Sequence, residues 1–233
     1  MVGFGLSIAA ANYFYYSAIE LLPVAVAIVV QYTAPAIVVL WLATVERRRP
    51  SRRVVWSLAA AVAGVALLAE LPNALANGHT SLSAKGVAFA LTSAVAFAAY
   101  IVIGERVVLT YGPDGALARG FGVAAILWIV VQATRGRPDT LLDGSLLPGI
   151  VLLGFIATVI PFMLFVWGLT RIGAARAGIV STLEPLSAAF FAYVWLGQHL
   201  DAWQLAGAVL VIGAVAVVQS EQVGTVPAPA PLE

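Results

Sequence analysis

The chain has 233 residues, of which 62% are hydrophobic and 10% charged, with a formal net charge of +1. A soluble domain carries about a quarter of its residues as charges, so this chain cannot cover a water-facing surface and must present its outside to an apolar medium. The near-neutral balance offers no basic stripe to nucleic acid, and the lack of cysteine excludes a disulfide framework or a thiolate site.

Charge-free runs set the predicted elements. A membrane-spanning helix takes about 20 residues. Runs of that order cover Met1–Ile19, Leu21–Val45, Val54–Ala69, Gly86–Gly104, Gly120–Thr134, Gly144–Thr170 and Ala202–Ser220. A further run, Ala177–Gln198, is interrupted only by Glu184. The fold expected is therefore an all-α polytopic membrane protein with eight transmembrane helices. The two shorter runs, Val54–Ala69 and Gly120–Thr134, need their polar flanks to reach across. The first run has no basic start and no small-residue cleavage site, so it reads as a retained helix rather than a signal peptide. The Pro- and Ala-rich end, residues 220–233, reads as a disordered cytoplasmic tail.

The loops alternate sides. Those after helices two, four and six hold Arg47, Arg48, Arg49, Arg52 and Arg53, then Arg106 and Arg119, then Arg171 and Arg176. The opposite loops hold Lys85, Arg135 and Arg137. Basic residues stay cytoplasmic during insertion, so "ERRRPSRR" is expected inside, and with an even helix count both termini are too. Glu105, Arg106 and Arg119 read as anchors where helices four and five meet the cytoplasm, a gate-side ion pair being the alternative.

The sequence also repeats at an offset of 150. "AIELLPVAVAIVVQYTAPAIVVLW" (18–41) aligns with "GLTRIGAARAGIVSTLEPLSAAFF" (168–191), and Pro35 falls on Pro185. Each copy has a short helix, a tight break at Leu22-Pro23 or Ile172-Gly173, then a long helix with proline near its middle. Upstream, "NYFYY" faces "FMLFV"; downstream, "AAAVAGVALL" matches "AVLVIGAVAVV" after a slip of one. Helices one to three thus match helices six to eight with opposite orientation, an inverted-topology repeat of the kind transporters use around a midplane site. Residues 1–70 are expected as a partial first repeat of three helices, and 84–219 as a complete second repeat of five. Two helices are expected before Met1.

In order and spacing, these segments resemble the EamA-type permeases of the drug/metabolite transporter superfamily. The resemblance rests on "AIELLPVAVAIVVQYTAPAIVVL", the basic loop and "AAAVAGVALL", then "KGVAFALTSAVAFAAYIVIGERV" and "STLEPLSAAFFAYVWLGQHLDAWQLAGAVLVIGAV". It implies ten helices in two inverted five-helix repeats with cytoplasmic termini, a multi-pass place in the cytoplasmic membrane of a bacterium, and movement of small metabolites such as amino acids. This sequence matches from the third family helix onward, and has Gln198 where the family often has Glu.

Candidate site residues are the polar groups at membrane depth. Glu184 falls about 15 Å along a helix beginning near Ala174, close to the middle of a hydrocarbon core about 30 Å thick. A carboxylate there must be neutralised, paired or wet. Pro185 removes a backbone donor and frees the carbonyl of Ser181, which is tolerated where it lines a cavity. Glu184 is expected either to exchange a proton or to hold an amino group of the substrate; the bland alternative is a hydrogen-bonded glutamate that holds packing together. Asn12 and Tyr16 on helix one, Gln31 beside Tyr32 on helix two, and Ser93 and Tyr100 on helix four, with Ser181, complete the set. Pro35 and Pro185 are expected as helix kinks. Ala60, Gly64, Ala206 and Gly213 suit close helix packing, within the bundle or in a homodimer.

The motifs HExxH, GxSxG, GxxxxGK and GxGxxG are absent from the sequence, and its two histidines lie far apart. No metal, no cofactor and no enzymatic activity are expected. The leading expectation is a secondary transporter, a permease or exporter of a small metabolite such as an amino acid, working by alternating access in the lipid bilayer, with proton coupling open. The alternative is a truncated, non-transporting or accessory membrane protein.

Overall fold

The computed structural model describes residues 1–71, 83–135, 144–197 and 201–220, and these are helical with short breaks. The helices are α1 (Val2–Ile19), α2 (Val24–Gln31), α3 (Ala34–Thr44), α4 (Arg52–Leu68), α5 (Ala84–Arg135), α6 (Leu147–Gly154), α7 (Ile160–Val180), α8 (Leu183–Leu196) and α9 (Ala202–Ser220), with a π-helical turn, Phe155–Val159, between α6 and α7. Among the described residues, four stretches are long and apolar enough to cross a membrane: Val24–Thr44, Ala84–Thr134, Leu147–Val180 and Ala202–Ser220. The sequence expectations for Gln198, His79, His199, Arg137 and the tail beyond Ser220 lie outside the described residues.

Two of these stretches exceed a bilayer's thickness, and a glycine divides each. Gly112 (φ 71°, ψ 165°) interrupts α5 and Gly173 (φ 73°, ψ 169°) interrupts α7. That backbone region is essentially reserved for glycine. Residues 104 and 120 would stand about 24 Å apart in one straight helix, yet the Phe4 ring lies against both Gly104 and Gly120. The chain therefore folds back at Gly112-Pro113, and α5 is two arms clasping α1. The charged residues Glu105 and Arg106 belong to the first arm, not to a loop: a charge at the membrane edge does not end a helix, whereas Gly-Pro does.

Polar caps mark the other ends. Ser51 Oγ accepts from the Val54 N–H at 3.2 Å and starts α4. Asp201 and Gln204 exchange hydrogen bonds, Gln204 N–H to Asp201 Oδ1 at 2.7 Å and Asp201 N–H to Gln204 Oε1 at 2.9 Å, a capping box that starts α9. Gln204 Nε2 also donates to Glu70 Oε1 at 2.7 Å, joining the end of α4 to the start of α9.

The packing is inverted relative to a soluble protein. Small residues fill the contacts, among them Ala34, Ala61, Ala90, Ala94 and Ala116, each fully buried. Large apolar groups such as Val151, Leu153, Leu164 and Val209 face outward. Helices in lipid gain little from hiding apolar surface and associate through close backbone approach instead. One such close approach is between α4 and α9, where a Cβ at Gly207 would lie 2.6 Å from the Gly64 carbonyl oxygen. Gly64 is thus a bundle contact, with Gly207 rather than Gly213 as its partner; a Cβ at Gly213 would meet nothing within 4 Å.

Candidate functional site

Proline decides where the site opens. A proline cannot donate to the carbonyl four residues back and its ring crowds that carbonyl. The helical run over 24–44 accordingly breaks at Tyr32-Thr33, one turn before Pro35, and the run over 174–196 breaks at Ser181-Thr182, one turn before Pro185. The hydroxyls of Thr33, Ser181 and Thr182 cap the preceding helix ends, donating to the carbonyls of Val30, Gly178 and Ile179 at 2.6, 2.7 and 2.6 Å. The Ser181 carbonyl is not left free as the sequence suggests: it accepts from the Glu184 N–H at 3.0 Å. Pro35 itself points away from the opening and packs on Gly178, where a Cβ would lie 3.3 Å from its own.

The two breaks meet. Tyr32, buried at the end of α2, donates its hydroxyl to Glu184 Oε2 at 2.8 Å. Beside this pair lies a cavity of about 580 Å³. Ala157 and Ala188 both line it, although in one straight helix they would stand about 46 Å apart. The chain therefore folds back at Gly173 as it does at Gly112. Ala157 belongs to the π-helical turn, and Pro161, which also lines the cavity, lacks the N–H that would otherwise reach the Ala157 carbonyl.

One wall is polar. It carries Asn12, Tyr15, Tyr16, Gln31 and Tyr32, together with Ser181 and Glu184. Asn12 Nδ2 donates to the Ile8 carbonyl at 2.9 Å. Gln31 Nε2 donates to Ser93 Oγ at 3.0 Å, and the Ser93 hydroxyl donates to the Ala11 carbonyl at 2.8 Å. Ser93 thus stands one layer behind the cavity, fully buried, and fixes the Gln31 amide between α1 and α5. Ser187 faces outward and donates to the Leu183 carbonyl at 2.9 Å.

The other wall is aromatic. Tyr100 stacks on Phe97 and Phe165, with ring centroids 6.0 and 5.5 Å away, and Phe162 lies 5.6 Å from it at an angle. Phe4 backs Tyr100 at 5.3 Å. The Tyr100 hydroxyl is buried with no partner among the described residues.

Glu184, Ser181, Asn12, Gln31, Tyr16 and Tyr100, together with Pro185, all border this one cavity; Ser93 and Pro35 do not. Sequence reasoning did not single out Tyr15, Phe162 or Phe165, and named Tyr32 only as the neighbour of Gln31. The signal was the repeat: at the offset of 150, Ala11 matches Pro161, Asn12 matches Phe162, Tyr15 matches Phe165 and Gln31 matches Ser181, and all eight line the cavity.

A second polar cluster lies toward the basic loop. Glu46 pairs with Arg48 at 3.1 Å and with Arg106 at 2.9 Å, and Arg48 stands 3.7 Å from Glu105. The Glu105 carboxylate also accepts from the Ala174 N–H just after the Gly173 break.

Comparison with known proteins agrees with this architecture. The threonine/homoserine exporter RhtA of Salmonella typhimurium (strain SL1344) is 30% identical over 211 residues, covering 91% of this chain and 68% of the exporter. Its namesake in Escherichia coli (strain K12) is 30% identical over 212 residues, 91% of this chain and 66% of its own length. The uncharacterized inner membrane transporter YicL of Salmonella typhimurium (strain LT2) is 28% identical over 194 residues, covering 83% of this chain and 63% of YicL. The chain thus spans about two thirds of the length of these relatives. A solved crystal structure of another protein superposes with a TM-score of 0.77 at 22% identity, over 94% of this chain and 74% of that one, and shows the same fold. The profile of the EamA-like transporter family matches residues 2–69 and 84–220. This all-helical chain is a membrane transporter, not an enzyme, and it belongs to the EamA-like transporter family.

Proposed function

We propose that the chain exports a small metabolite, an amino acid or a related amino compound, across the inner membrane by alternating access, with the cavity at the meeting of the two broken helices as its translocation site. The observation that carries this reading is the matched lining: residues 11, 12, 15 and 31 and their counterparts 161, 162, 165 and 181 face one space. A space built from equivalent positions of two repeats is what rocking one half against the other around a fixed site requires. In this reading eight segments cross the bilayer, three from the first repeat and five from the second, with inverted orientation and both termini cytoplasmic. The named relatives that export threonine and homoserine support an amino compound as substrate.

Glu184 is the coupling or binding residue of this site. It opens onto the cavity in the first turn of α8 and is hydrogen-bonded by Tyr32. Proton exchange at Glu184 would tie export to the proton gradient. Substrate counterflow in proteoliposomes tests the reading, with the wild type compared with Glu184→Gln from mildly acid to mildly alkaline pH. Lost flux, or flux with a flattened pH profile, is expected. Unaltered transport at every pH removes Glu184 from the mechanism.

A further inference from the structure

The two repeats contribute unlike side chains to matched positions. The first supplies Asn12, Tyr15 and Gln31; the second supplies Phe162, Phe165 and Ser181. The cavity is therefore two-sided, and its charge is one-sided. Among the described lining residues Glu184 is the only acid, and no Lys, Arg or His faces the space. From this we infer that the cavity selects a monocationic amine on an apolar or aromatic body, and discriminates against the same body bearing a free carboxylate. The inference rests on the cavity being the translocation site and narrows what that site accepts.

The physical argument concerns what each end of a ligand would meet. An ammonium group on the polar wall finds a carboxylate already oriented by the Tyr32 hydroxyl, with the Gln31 and Asn12 amides and the Ser181 hydroxyl near it. The ligand's body then lies on Phe97, Tyr100, Phe162 and Phe165, whose π faces attract a cation as well as apolar surface. A carboxylate on the same ligand meets neutral donors such as the Tyr100 hydroxyl but no cation. It would enter a low-dielectric space without a counter-charge and share it with Glu184, and an unpaired buried charge is strongly disfavoured. Asn12 Nδ2 and Gln31 Nε2 each donate one N–H, to Ile8 and Ser93, and keep a second for the ligand's carboxylate, but neutral donors do not cancel the repulsion of the Glu184 charge as a cation would. A zwitterionic amino acid therefore gains at one end and loses at the other, whereas the corresponding amine only gains.

Radioligand binding to the purified full chain in nanodiscs tests this with one ring and three charge states. Phenethylamine, phenylalanine and phenylpropionate differ only in their charged groups, and threonine is added as an aliphatic zwitterion. Phenethylamine should bind at least about tenfold more tightly than phenylalanine, with phenylpropionate weakest. Glu184→Gln should remove that preference and Glu184→Asp should keep it, both variants eluting as monodisperse protein. Phe165→Leu should weaken phenethylamine while leaving the order of the three ring compounds unchanged. Phenylalanine or threonine binding as tightly as phenethylamine overturns the charge inference and leaves the cavity reading standing. No binding by any of the four, with no counterflow, overturns both.

Discussion

The Tyr32 hydroxyl donates to Glu184 Oε2 at 2.8 Å across 152 residues of sequence, and it joins the interrupted ends of two helical runs whose sequences align at an offset of 150. Tyr32 is buried at the cavity's edge while Glu184 opens to the space, so the tyrosine holds the carboxylate in one orientation. Tyr32→Phe preserves the ring and removes the donor. Export should fall. The double variant Tyr32→Phe/Glu184→Gln should then export no worse than Glu184→Gln alone, because the tyrosine's contribution passes through the acid. Flux measured in the four members of this cycle checks it, and losses that simply add would separate the two residues.

The crossing of α4 and α9 predicts a steep contrast between two glycines six positions apart. A Cβ at Gly207 meets the Gly64 carbonyl oxygen at 2.6 Å and the Leu68 backbone nitrogen at 2.8 Å, and backbone cannot step aside as a side chain can. Gly207→Ala must push the helices apart, an overpacking cost of about 1–3 kcal/mol. Gly213→Ala meets open space and should be silent. Thermal unfolding of the purified variants in one detergent would show a lowered midpoint for the first and none for the second.

Much of this architecture can be read from the sequence, because a bilayer imposes coarse rules. Charge-free runs locate the apolar helices, and proline and glycine mark their breaks, as at Pro35, Pro185 and Gly173. Glu184 stands out because a carboxylate in such a run demands a reason. Helix ends are harder. The apolar run stops at Gly104, but the helix continues through Glu105 and Arg106 to the break at Gly112, because polar side chains at a membrane edge can reach headgroups without unwinding the backbone. Side-chain layering is harder still. Ser93 and Gln31 look alike as buried polar residues, and only the packing of α1 against α5 puts one behind the other. Phe162 and Phe165 look like ordinary filler until the repeat sets them opposite Asn12 and Tyr15.

The two hairpin glycines share a backbone conformation but not their surroundings. Any side chain at φ near +70° in this region costs on the order of 1–3 kcal/mol, so Gly112→Ala and Gly173→Ala should both lower stability. At Gly112 that strain is all, since a Cβ would meet nothing within 4 Å. At Gly173 a Cβ would also stand 3.2 Å from Glu105 Oε1, the carboxylate that receives the Ala174 N–H. Gly173→Ala should therefore destabilise more than Gly112→Ala, and Glu105→Ala should narrow the gap between them. Chemical denaturation of the wild type, the three single variants and the two doubles that combine Glu105→Ala with each glycine change, with helicity as readout, checks the order; equal losses at the two glycines would mean that Glu105 does not brace the turn.

The absence of cysteine makes the orientation directly measurable. Arg49 lies in the basic loop after α3, at the end of the bundle where Glu46 gathers Arg48 and Arg106. Glu20 follows α1, on an exposed turn before Pro23, and a helical run of about 30 Å separates it from Arg49. Single cysteines introduced as Arg49→Cys and Glu20→Cys should react from opposite sides. In intact cells a membrane-impermeant thiol reagent should modify Glu20→Cys and spare Arg49→Cys until the membrane is opened. A further site, Glu70→Cys, should behave like Glu20→Cys, because α4 returns the chain to that side and Gln204 holds Glu70 there. Labelling of Arg49→Cys from outside would invert the orientation that the basic residues assign. Protection of Glu20→Cys together with Glu70→Cys under all conditions short of lysis would do the same, and the opposed repeats around the cavity would then lack their frame.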